Sequence, residues 1–115
     1  MSIKRLQAGP RMSQAVVHGH TVYLAGIVAD DGKADMAGQT RQVLAKIDKM
    51  LAAAGTDKSK LLSANIWVTD MGKFADMNKV WDGWVSPGNT PARATVEAKL
   101  ARPEFLVEIM VVAAK

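Results

Sequence analysis

The run Phe105–Ala113 places the tightest limit on how this chain folds. It alternates as a strand does: Val107, Ile109 and Val111 point one way, Met110 and Val112 the other. Both sets are apolar, so both faces of the strand need cover. The rest of the chain offers two amphipathic helices, which on one sheet bury one face only. The other face calls for a partner, most simply another copy of the chain. Glu108 interrupts the second set. A carboxylate inside an apolar strand costs free energy unless it is paired, hydrated or put to use.

The remaining elements follow from local pattern. Ile3–Leu6 reads as a short edge strand. Gln14–Val17 and Thr21–Val28 are β-like, joined by a turn at His18-Gly19-His20. Ala29–Ala34 is a polar loop containing Asp31-Gly32. Asp35 caps a helix running to about Ala54, with Met36, Val43, Leu44, Ile47 and Leu51 on one face and Gly55 as its stop. Leu61–Thr69 alternates, with Leu62, Ala64, Ile66 and Val68 on one face and Ser63, Asn65 and Trp67 on the other. Lys73–Val85 is a second helix striped by Phe74, Met77, Trp81 and Trp84. After the loop Ser86–Pro91, Ala92–Leu100 and Phe105–Ala113 are the last two strands. The order is three strands, helix, strand, helix, two strands, an α+β chain with residues 1–115 as one domain.

Composition narrows the function. The net charge of +4 comes from 15 basic and 11 acidic residues. The bases are scattered and form no block with interleaved aromatics, which argues against nucleic acid as a partner. The absence of cysteine removes disulfides, thiol nucleophiles and cysteine-ligated metals, and fits a cytoplasmic location. Ser2–Arg11 lacks the apolar segment of a signal peptide, and no apolar run has the length of a membrane span.

Two charges stand out in the closing strands. Arg93 follows Pro91 and sits with Thr95, Glu97 and Lys99 opposite the apolar set Ala94, Val96, Ala98 and Leu100. It can pair with a glutamate on a polar face, or its planar fork can grip a ligand carboxylate. Glu108 can be satisfied by backbone donors or by Lys99, or it can orient or deprotonate a water. If the last two strands form a hairpin around Ala101–Glu104, Glu97 lies near Glu108, and Arg93 is four residues further, about 13 Å away at strand rise. One small ligand then reaches both only if they come from different subunits. His18 and His20 flank a turn glycine with no third metal ligand in view. Trp67, Trp81 and Trp84 read as core packing. Asn78 either braces the Ser86–Thr90 loop or faces solvent.

The chain resembles the RidA/YjgF family of reactive-intermediate deaminases, also labelled L-PSP endoribonucleases. The resemblance spans nearly the whole chain. It is carried by GPRMSQAV from Gly9, VYLAG at Val22–Gly26, QTRQVLAKID at Gln39–Asp48, TDMGKFADMN at Thr69–Asn78, TPARATVE at Thr90–Glu97 and VEI at Val107–Ile109. It implies a chorismate-mutase-like fold, a six-stranded and mainly antiparallel sheet with two helices on one face. It also implies a homotrimer with clefts between subunits. The implied reaction hydrolyses enamines and imines such as 2-aminoacrylate to a 2-keto acid and ammonia, with no cofactor or metal. In it Arg93 grips the substrate carboxylate and Glu108 positions the attacking water, while Asn78 and Gly26 match further family site residues.

Several positions depart from the family pattern. GPRMSQ stands where the pattern has GPYSQ, so Met12 replaces the family tyrosine or Arg11 displaces it. Ala25 and Ile27 stand where a serine and a glutamine flank Gly26, and Thr95 where a cysteine follows the arginine. Met12, Ala25, Gly26, Asn78, Thr95 and Arg93 are thus the expected substrate contacts, with Arg93 and Glu108 catalytic. The alternatives are a noncatalytic binder of small carboxylates and, last, a ribonuclease, for which the chain offers no histidine pair or basic groove.

Overall fold

A computed structural model describes residues 1–115 and resolves these patterns into six strands and two α-helices. They are β1 (Ile3–Leu6), β2 (Ala15–His18), β3 (Thr21–Leu24), α1 (Met36–Ala53), β4 (Leu61–Val68), α2 (Phe74–Trp84), β5 (Ala92–Glu97) and β6 (Val107–Ala114). The strands make one sheet in the order β1-β2-β3-β6-β4-β5. Every pairing is antiparallel except β4 with β5. This is the six-stranded sheet with two helices that the sequence led us to expect.

The helices cover one face. Val43, Leu44, Ile47 and Leu51 of α1 and Met77 and Trp81 of α2 are buried with alternate residues of the sheet, among them Ala64, Ile66, Val107, Ile109 and Val111. Asp35 caps α1, its side chain accepting from the Gly38 N–H at 2.8 Å. Gly55 follows α1 with φ of +86°, a left-handed conformation that suits glycine. No helix is long and apolar enough to cross a membrane.

The opposite face is open. Its cross-strand rows run Val16–Tyr23–Val112–Ser63–Ala92, then Met110–Asn65–Ala94, then Glu108–Trp67–Val96. Tyr23 is 46% exposed and Val96 49%, so a face that is largely apolar meets solvent in the single chain.

The structure corrects three details. β5 and β6 are not a hairpin, because β4 lies between them. Leu61, not Leu62, joins the core face of β4, since an irregularity in register between Leu61 and Ser63 shifts the alternation. Trp67 belongs to the open face instead of the core.

Candidate functional site

Arg93 lies on β5, paired in register with Ala64, whose side chain is buried under the helices. Arg93, Thr95 and Glu97 therefore turn toward α2 and not toward the open face. The guanidinium carbon stands 5.3 Å from the Trp81 ring centroid and 5.8 Å from that of Phe74. Two aromatic faces thus hold a cation whose outer edge remains exposed. It has no carboxylate partner, because the chain's one ion pair joins Lys46 to Asp30. Glu97 is taken up elsewhere, accepting from the Met71 N–H at 3.0 Å.

Two orphan polar atoms accompany this cation. Asn78 shares the stripe of α2 that carries Phe74 and Trp81, and Thr95 shares the helix-facing side of β5 with Arg93. Asn78 Oδ1 and Thr95 Oγ1 are both buried without a hydrogen-bond partner. Buried polar atoms normally find partners, and these two lie on the helix stripe and the strand face that Arg93 also touches or shares. Asn78 is half-buried, and it makes no hydrogen bond to the Ser86–Thr90 loop.

Glu108 belongs to the other face, where its cross-strand neighbour is Trp67. Its setting comes from an irregularity in β3. Tyr23 pairs with Val112, and Ile27 pairs with Ile109 through hydrogen bonds of 2.9 and 3.1 Å. Three residues on one strand thus face two on the other, a bulge at Leu24-Ala25-Gly26. The bulge brings Gly26 against the Glu108 side chain, and a Cβ at position 26 would overlap Glu108 Oε2. Glycine is needed here for close approach. Lys99, considered above as a partner for Glu108, forms no ion pair with it.

Within one chain Arg93 and Glu108 are on opposite faces of the sheet. They are also two strands apart, about 9.5 Å, and offset by three residues, about 10 Å. No small ligand touches both. Met12 and Gly26 do come together, lining a cleft of about 570 Å³ with Gln7, Gln14, Lys49 and Met50. Ile27 also borders it but is only 5% exposed, so its side chain mainly serves the core. A hollow of about 740 Å³ between α1 and α2, bordered by Arg41, Asp48, Lys58, Asp76 and Trp84, contains none of the expected residues.

Sequence reasoning missed the platform under Arg93, because Phe74 and Trp81 read as core packing alone. The available signal was the spacing of Phe74, Asn78 and Trp81, which sets a polar residue between two rings on one helical stripe.

Comparison with known proteins decides the family. The family model for endoribonuclease L-PSP matches residues 2–115. The RutC family protein YoaB of Escherichia coli is 45% identical over 114 residues, 99% of either chain. The chain belongs to the RidA/YjgF family. A crystal structure of a YjgF family protein from Neisseria meningitidis superposes with a TM-score of 0.97 at 50% identity, covering 100% of this chain and 96% of that one. A YjgF family member from Mycobacterium tuberculosis, 28% identical, gives a TM-score of 0.90 over 99% of this chain and 100% of its own. RidA/YjgF membership thus accounts for the fold.

Proposed function

We propose that this protein hydrolyses reactive enamines and imines of the 2-aminoacrylate type to a 2-keto acid and ammonia. It acts in the cytoplasm as a homotrimer whose sites lie between subunits, each taking Arg93 from one chain and Glu108 from the next. The observation that carries the reading is the unpaired Arg93 guanidinium on Phe74 and Trp81, with orphan atoms of Asn78 and Thr95 nearby. The apolar open face supports the assembly, since an exposed patch of this kind calls for a partner.

The chemistry balances simply. The fork of Arg93 takes the substrate carboxylate in a bidentate grip. The enamine tautomerises to the imine, whose carbon is electrophilic. Glu108 accepts a proton from water as the water oxygen bonds to that carbon, and the C=N electron pair moves to nitrogen. Glu108 returns that proton to nitrogen, the carbinolamine hydroxyl gives up a second, and nitrogen leaves as ammonia while C=O forms. One water is consumed and nothing is oxidised or reduced. Holding reactants in place supplies much of the acceleration such a step needs. Met12, Ala25 and Gly26 border the substrate.

Binding of a 2-keto acid without turnover is the second reading. It is favoured by Ala25 and Ile27, which offer no polar side chain beside Gly26. Ribonuclease action ranks last. His18 and His20 flank the turn next to Thr21, which pairs with Ala114 at the far end of β6 from Glu108.

The test generates 2-aminoacrylate or 2-aminocrotonate with a threonine dehydratase and follows keto-acid release. Wild type accelerates release, Arg93→Ala abolishes the acceleration, and Glu108→Gln reduces it. Co-expressing the two variants restores about a quarter of the sites, because a closed ring then combines an intact arginine with an intact glutamate by chance. Keto-acid binding with no acceleration overturns the deaminase reading, and failure of the mixture to recover overturns the shared site.

A further inference from the structure

Gln39 is 0% exposed and lies on α1, far in sequence from both half-sites. Its Nε2 donates to the carbonyls of Gly32 at 3.3 Å, Ala34 at 3.0 Å and Glu104 at 2.9 Å. Its Oε1 accepts from the Leu106 N–H at 2.9 Å. One buried amide therefore stitches two loops together. The first leads from the Gly26 bulge into α1, and the second leads into β6, which begins one residue before Glu108. The loops touch closely, since a Cβ at Gly32 would overlap the Glu104 side chain.

The stitch has company along α1. Gln42 Oε1 accepts from the Asp31 N–H at 2.9 Å. Lys46 Nζ donates to the Val28 carbonyl at 2.8 Å and to Asp30 at 2.9 Å. Residues 39, 42 and 46 form one stripe of the helix. Together they hold the segment after Gly26, but only Gln39 also holds the segment before Glu108.

We propose that Gln39 is a positioning residue for Glu108. By fixing the Leu106 amide and the Gly32 and Ala34 carbonyls to one rigid side chain, it sets where β6 enters the sheet. It thereby sets where the Glu108 carboxylate rests on Gly26. A buried amide with its hydrogen bonds made at both ends specifies one geometry. The inference rests on the reading of Glu108 as the group that holds water.

The test compares wild type with Gln39→Met, which keeps length but makes neither set of bonds, and Gln39→Glu, which keeps an acceptor for Leu106. In folded Gln39→Met, kcat falls about tenfold or more, where a full displacement of about 1 Å can cost about a hundredfold. KM and the Kd for 2-oxobutyrate, which depend on Arg93, stay within about twofold. Gln39→Glu falls between. Full kcat in Gln39→Met, or equal loss of kcat and affinity, overturns the proposal. If Gln39→Met does not fold, the same split in Gln39→Glu decides. A wild type without turnover sinks the deaminase reading alone. Positioning is then read from the NMR signal of the Glu108 carboxyl carbon, which shifts between wild type and the variants if Gln39 sets its place; an unchanged signal overturns the inference.

Discussion

At Gly26 a single missing methyl group decides where a carboxylate can rest. The atom that a Cβ would strike is the free end of Glu108, not backbone. Gly26→Ala should therefore move the carboxylate and leave the fold in place. We expect a stability change within about 1 kcal/mol by denaturant titration. Turnover should fall about tenfold or more, while 2-keto acid binding through Arg93 survives. A variant that keeps full turnover would show that Glu108 does not need this resting place. Both charges stood out from the strand pattern, and Gly26 was singled out only by the family resemblance. The direction of Arg93 was not legible. Alternation correctly grouped Arg93, Thr95 and Glu97, but a polar set on a strand reads as solvent-facing. The register of Arg93 with buried Ala64 and its contact with Phe74 and Trp81 reveal that it turns toward a helix.

Among the elements, α1 was the most legible. Its cap, apolar face and stop are local signals, and local signals are what a sequence displays. The helix has no acidic residue in its first turn and no basic residue in its last, so the Asp35 cap is the carboxylate that meets the positive end of its dipole. Asp35→Ala should cost about 1 kcal/mol, seen as a lower denaturant midpoint with an unchanged m-value; an unchanged midpoint would show that tertiary packing alone fixes the helix start. Strand pairing was harder to read. Two consecutive strands joined by a short segment look like a hairpin, and nothing local in Ala98–Leu106 says that it passes to the far side of β4. Pairing is a long-range choice made by the whole sheet, so the distance between Glu97 and Glu108 was misjudged. The bulge at Leu24-Ala25-Gly26 escaped for the same reason, since it exists only relative to β6.

For the molecule as a whole, the two-faced apolar pattern of β6 is the feature with the widest reach. Val112 sits at the centre of a five-residue row of the open face, between Tyr23 and Ser63. A glutamate there is harmless in a lone chain and costly in a buried interface. Val112→Glu should keep its circular dichroism, sediment as a smaller species than wild type and lose turnover with the assembly. Unchanged sedimentation would mean that this face is not where copies meet. The same strand also governs how the chain comes together during synthesis. β6 follows the other five strands in the chain, yet it pairs with both β3 and β4. Until Val107–Ala114 emerges from the ribosome, the chain holds two separate half-sheets, β1-β2-β3 and β4-β5, each with an unpaired edge. The nascent chain must wait for its final stretch, and a ribosome that stalls just before it leaves two sticky half-sheets where one continuous sheet should be.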